Sequence, residues 1–167
     1  IDTALWDIKG KALNVPVYQL LGGKTNDNLR TYASQLQFDW DDECTKLVEP
    51  AQYAEAALKA VAQGYDAVKV DPIVYDEHGV SSFDRTNLFT PKQMRLFGDR
   101  LRAIRDAVGS DVDIIFEAHS LMGCASAIQM GSVIEEVGCM MFEEPVNYLN
   151  SAVHKKVAEN VKVPIAG

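Results

Sequence analysis

A repeated alternation restricts this chain most: short β-branched stretches, each followed by an amphipathic helical pattern that stops at glycine. Leu29 to Leu36 (LRTYASQL) reads as a first strand, and Pro50 to Gln63 as an Ala-rich amphipathic helix ended by Gly64. Ala67 to Val70 is a second strand, followed by a long mixed loop, Pro72 to Thr90. Thr90-Pro91, a polar cap before a proline, predicts a helix running to Val108 and closed by Gly109. Val112 to Ala118 (VDIIFEA) is a third strand, Ala125 to Val137 a helix closed by Gly138, and Cys139 to Phe142 a fourth strand. Ser151 to Glu159 is a further helix and Val163 to Ala166 a fifth strand. Such alternation demands a parallel sheet with helical crossovers. The last two repeats are close to the shortest possible strand–helix unit, which suits a (β/α) barrel. A doubly wound open sheet gives a similar string, but no GxGxxG follows the first strand to mark a dinucleotide site.

Upstream, Ile1, Ala4, Leu5, Ile8 and Ala12 recur at helical spacing. Asn14-Val15-Pro16 stops that helix, Val17 to Leu21 adds a turn, and Gly22-Gly23 ends it. The 167 residues suffice for one core of ordinary size, and five strands cannot close an eight-stranded barrel. The expectation is therefore a piece of a longer protein, with the rest of the barrel outside it. The net charge of −8 disfavours nucleic acid and anionic membranes, which need clustered Lys and Arg. No apolar run approaches the ~20 residues that span a bilayer. Cys44, Cys124 and Cys139 match no CxxC pattern and are expected as reduced thiols in a cytoplasmic protein.

Barrel enzymes carry their chemistry at the carboxyl ends of the strands. Those ends hold Lys69-Val70-Asp71, Glu117-Ala118-His119 and Glu143-Glu144-Pro145. Side chains alternate along a strand, so Lys69 and Asp71 share one face, and Glu117 and His119 share another. Glu143 shares its face with Cys139 and Met141. Glu117 and Glu143 on neighbouring strands repel unless a cation lies between them, and oxygen ligands of this kind suit Mg²⁺. The plain alternative is that any one of these charges is a solvated loop residue.

The stretches ALWDIKGKALNVPVYQLLGG, YDAVKVDP, RLRAIRDAVGSDVDIIFEAH, MFEEPV and VPIAG together resemble the mandelate racemase/muconate lactonizing branch of the enolase superfamily, closest to its acid-sugar (galactonate/gluconate-type) dehydratases. The resemblance implies a partial TIM-like (β/α) barrel holding the first five strand–helix units. Residues 1–25 would be the end of a capping domain and its linker, and residues 26–167 the first part of the barrel. It implies Mg²⁺ held by Glu117, where the family usually has Asp, and by Glu143, the first Glu of the EEP motif. A third carboxylate and a His base would lie beyond residue 167.

In sugar-acid dehydratases of this family, a His at the position of His119 is the general acid for the departing β-hydroxyl. Its ordinary pKa near ~6.5 suits that work; the alternative is a structural His. Lys69-x-Asp71 stands where many relatives have Lys-x-Lys. Lys69 binds the substrate carboxylate or acts as its electrostatic partner, and Asp71 has a chemical role or caps the strand end. The implied reaction is Mg²⁺-dependent dehydration of a sugar acid: α-proton abstraction, enediolate stabilisation and β-hydroxyl loss to a 2-keto-3-deoxy acid. A racemase or epimerase of the same superfamily, a non-catalytic barrel and a Schiff-base aldolase using Lys69 are the alternatives. The expected partners are a small sugar acid and, in the full-length protein, further copies of itself. Trp6, Trp40 and the methionines read as packing, and His78 and His154 as solvated. Cys124 has no evident base partner. Asp39 to Glu43 (DWDDE) reads as a solvated loop, and Ile73 to Phe89 is long enough to form part of a lid.

Overall fold

The crossovers form, but with one fewer strand than the pattern predicts. The computed structural model describes residues 1–81 and 84–167. Two positions of the long predicted loop, Ser82 and Phe83, lie outside the described residues. The chain divides into two compact units, Ile1–Arg30 and Thr31–Gly167.

In the first unit, α1 (Asp2–Leu13) ends where Asn14 turns left-handed at φ 55°, and the Val15 amide then donates to the Gly10 carbonyl. A side chain at position 10 would stand 2.9 Å from the Val15 carbonyl oxygen, so glycine lets the chain turn back tightly here. A short α2 (Val17–Leu20) follows Pro16.

The second unit carries α3 (Pro50–Ala62), β1 (Ala67–Val70), α4 (Pro91–Val108), β2 (Asp113–Glu117), α5 (Cys124–Val137), β3 (Met141–Glu143), α6 (Ser151–Ala158) and β4 (Ile165–Ala166). The strands pair in chain order, all parallel, so each helix is a crossover. The predicted strand Leu29–Leu36 is a correction. It reduces to one bridge, Ala33 beside Val68, held by Ala33 N–H to Ala67 and Lys69 N–H to Ala33. Gln35 at φ 70° turns the chain out of extended geometry into a 3₁₀ turn over Leu36–Phe38, so no ladder propagates. Among the described residues the sheet therefore has four strands plus that bridge, the arrangement of a partial barrel wall.

The helix boundaries follow from their caps. Thr90 accepts from the Gln93 amide and Gln93 reciprocates to the Thr90 N–H, so α4 starts on a full capping box. Gly138, left-handed at φ 70°, closes α5. Along the sheet, Val68, Val70, Ile114, Phe116 and Phe142 join the hydrophobic core with Leu101, Ile104, Met130 and Ile134 of the helices. Phe116 and Phe142 are register partners and stack at 4.8 Å. Cys139 belongs to this core and not to the inner face expected for it; burial pushes its thiol up to about 12.

Two buried arginines strap down the loop after β1. Arg100, fully buried between the rings of Tyr53 and Phe97, donates to the carbonyls of Val48, Pro72, Tyr75 and Asp76. Arg85 donates to those of Ile73, Val74 and Ser81. Buried carbonyls must be paired, and here side chains from two directions pair them. The start of the predicted lid is thus tied at five carbonyls between Ile73 and Ser81, and Pro72 is held just before it.

Candidate active site

Alternation leaves Lys69, Asp71, Glu117 and Glu143 on the sheet face opposite the Phe116–Phe142 stack. The register sets Glu117 beside Glu143, and Lys69 beside Ile115, one inward-facing position below Glu117. The lysine side chain is long enough to climb that step. Its Nζ lies 2.8 Å from Glu117 Oε2 and 3.2 Å from Glu143 Oε1, so the ammonium sits between the two carboxylates. The face of Tyr32 lies 5.1 Å away on the same ammonium. The side chains of Lys69, Glu117 and Glu143 are only 11%, 10% and 22% exposed. Burial alone would lower the lysine pKa, but its hydrogen bonds to Glu117 and Glu143 outweigh burial and raise it.

Glu143 Oε2 is buried and has no hydrogen-bond partner among the described residues. An ionised oxygen without a partner in such a place is costly unless something positive meets it. Among the described residues, however, no cluster of three or more His, Cys, Asp or Glu side chains suits a metal ion.

Asp71 does two jobs. Its Oδ1 accepts the Ile73 amide, a cap on the strand end, and its Oδ2 lies 3.0 Å from His119 Nδ1. Its side chain is 1% exposed, whereas that of His119 is 37% exposed. The bond to Asp71 raises the His119 pKa, against the opposing pull of partial burial. With Nδ1 turned to a carboxylate, the outward nitrogen is Nε2, which stands 3.8 Å from Glu117 Oε2.

All five residues singled out from the sequence therefore meet at one end of three adjacent strands. Their pairing was not foreseen: Asp71 with His119, Lys69 with both glutamates, and Tyr32 over Lys69. The signal for the first pair was present, since inward faces of adjacent strands place Asp71 and His119 at neighbouring strand ends. Sequence reasoning also passed over Ser120 and Glu144. The Ser120 amide donates to the Glu144 carbonyl at 2.8 Å, and the Ser120 hydroxyl to Glu144 Oε2 at 3.2 Å.

Two residues read as solvated are not free of the fold. The side chain of Asp39 is only 16% exposed and pairs with Lys59 at 2.9 Å. His154 Nε2 lies 3.0 Å from the Val146 carbonyl, while His78 is exposed as read. No helix among the described residues is long and apolar enough to cross a membrane.

Comparison with known proteins gives the family. Residues 52–167 match the family described as enolase C-terminal domain-like, and residues 1–22 match the mandelate racemase / muconate lactonizing enzyme N-terminal domain. The chain is 35% identical to D-gluconate dehydratase of Thermoproteus tenax over 99% of its own length and 30% of that protein's. It is 32% identical to arabinonate dehydratase of Saccharolobus solfataricus over 100% of its length and 38% of the relative's. It spans, then, about a third of these curated relatives. A solved enolase-superfamily member from Salmonella Typhimurium superposes with a TM-score of 0.93 at 54% identity, over 99% of this chain and 43% of that one. With the parallel sheet and both domain matches in agreement, the chain belongs to the mandelate racemase/muconate lactonizing branch of the enolase superfamily.

Proposed function

We propose that this chain supplies part of the active site of a Mg²⁺-dependent sugar-acid dehydratase, which removes the α-proton and then the β-hydroxyl of its substrate to leave a 2-keto-3-deoxy acid. One observation carries the reading: His119, held by buried Asp71, stands beside two neighbouring carboxylates, one with a buried oxygen that lacks a partner among the described residues. Relatives named as dehydratases of gluconate and arabinonate support the substrate class.

Glu117 and Glu143 would hold the metal. They are hard oxygen donors on adjacent strand ends, and Glu143 Oε2, without a partner among the described residues, fits a cation. Two carboxylates are part of a ligand set and not the whole of one. When bound, a divalent cation supplies fixed positive charge against a substrate carboxylate.

The remaining roles belong to this chain's own side chains. Lys69 keeps its proton through neutrality, because Glu117 and Glu143 outweigh its burial, so it offers charge and hydrogen bonds and not a free amine. That counts against a Schiff-base aldolase. Asp71 holds the Nδ1 side of His119, leaving Nε2 as the atom that donates a proton. A histidine whose pKa is raised keeps that proton more readily near neutrality, as a general acid requires. Residues 1–25 then read as the end of the capping domain and its linker.

The test is to incubate the full-length protein with Mg²⁺ and a panel of hexonates and pentonates, following 2-keto acid as its semicarbazone. Activity that EDTA abolishes is expected, and no product from any acid of the panel would refute the reading. A racemase would instead exchange the α-proton in D₂O without losing a hydroxyl. His119→Asn separates the two, because a dehydratase so altered retains exchange and loses elimination.

A further inference from the structure

Three residues at this site that are not glycine adopt left-handed backbone: His119 at φ 50°, Ser120 at φ 59° and Glu144 at φ 45°. Each such residue costs on the order of 1–2 kcal/mol, so neighbouring contacts must hold it in place. Those contacts extend the β-ladder beyond the strands. Ala118 N–H donates to the Glu143 carbonyl, Ser120 N–H to the Glu144 carbonyl, and Glu144 N–H to the Ala166 carbonyl. One side-chain bond completes the set, Ser120 Oγ to Glu144 Oε2 at 3.2 Å. Both side chains are half-buried; neither exchanges a proton in the chemistry assigned to His119, and the charge of Glu144 is the smallest of the causes that raise the His119 pKa.

We propose that Ser120 and Glu144 form a positioning clamp that fixes the His119 backbone in its left-handed turn and so aims the imidazole at Asp71 and past Glu117. Neither residue touches the reacting atoms on this account; both act through His119. The kinetic part of the inference rests on the dehydratase reading, and the geometric part does not.

The reasoning is one of aim. His119 sits at the end of β2, where the chain leaves the sheet, and its ring is held at the far side by Asp71. A ring gripped only at Nδ1 can swing with its backbone. Pinning the next residue to the neighbouring strand through both its amide and its hydroxyl removes that freedom. A displacement of about 1 Å at a reacting group costs on the order of 100-fold, so partial loosening should be visible in rate.

The test uses the full-length protein and two readouts. Ser120→Ala and Glu144→Ala should lower kcat about tenfold with KM within about twofold, and Glu144→Gln, which still accepts the hydroxyl, should restore most of it. Ser120→Gly guards against a folding failure, since glycine adopts the left-handed turn without strain yet lacks the hydroxyl; its kcat should fall like that of the alanine variant. The second readout is the ring proton between His119 Nδ1 and Asp71 in protein labelled with ¹⁵N-histidine, assigned with His119→Asn. It should be sharp and protected in the wild type, and broadened or lost in the Ala and Gly variants. An unmoved ring proton in all three overturns the clamp, as does a raised KM at constant kcat. If the wild type forms no 2-keto acid, the dehydratase reading falls, and the ring proton alone decides the clamp.

Discussion

Replacing Arg100 with methionine isolates the strap that holds the chain just after Asp71. Methionine keeps much of the apolar volume between Tyr53 and Phe97 and removes every donor. Four carbonyls lose a partner: Val48, Pro72, Tyr75 and Asp76. Val48 and Asp76 are half-buried and can turn to water, whereas Pro72 and Tyr75 are buried. Each stranded buried carbonyl costs about 1–3 kcal/mol, giving roughly 2–6 kcal/mol for two. Relief of the guanidinium's own desolvation offsets part of that, leaving about 3 kcal/mol of net destabilisation. Urea unfolding followed by tryptophan fluorescence measures it, and an unchanged slope would show that the unfolded state is not responsible. A loss under about 1 kcal/mol would refute the claim that the arginine is what satisfies these carbonyls. Because Pro72 follows Asp71 directly, the same variant should also loosen the Asp71–His119 pair and lower turnover.

Further outcomes follow from single contacts. Lys69→Met leaves Glu117 and Glu143 facing each other, so it should cost about 3 kcal/mol without metal, and added Mg²⁺ should raise its Tm more than that of the wild type; equal shifts would deny that ammonium and metal answer the same charge. Glu143→Gln should weaken Mg²⁺ binding by calorimetry at least tenfold, and unchanged binding would remove Glu143 from the ligand set. Asp39 is held below its usual range: burial pushes it up, but the Lys59 hydrogen bond and charge outweigh that. Its contribution to stability is present above the unfolded value near ~3.9 and is lost as pH falls through the lower folded value. Acid titrations of wild type and Lys59→Met should therefore converge below about pH 3 and diverge above pH 5; parallel curves would contradict the pairing.

The inner face of the site was legible because period-two alternation is a property of any strand. It places Lys69, Asp71, Glu117 and Glu143 on polar strand faces that open on one mouth, and Thr90-Pro91 and Gly138 bound α4 and α5 as read. What sequence could not supply was contact between elements. Leu29–Leu36 has the composition of a strand, but strand character needs a partner along its whole length, and the turn at Gln35 cuts the pairing to Ala33. Nothing in the sequence singles out Arg100 within its helix; only the loop folded over it makes it a buried donor. Asp71 reads equally as a strand cap or as a residue with a chemical role; the cap forms, and its second bond, to His119, depends on β2 arriving alongside. Cys139 was assigned by alternation to the wrong side because β3 begins only at Met141.

Gly123 lies where the long loop presses on the start of α5. A Cβ there would be driven into the Thr86 carbonyl, and the neighbouring Arg85 carbonyl already accepts from the Gly123 amide and the Ser126 hydroxyl. Since two backbones meet at this point, even alanine should cost about 3 kcal/mol. In a survey of every substitution, position 123 would score as intolerant as the residues that do the chemistry, though it performs none. Abundance measured beside turnover would tell the two apart: a variant here should vanish from the cell, while an exchanged His119 should accumulate as an inert protein.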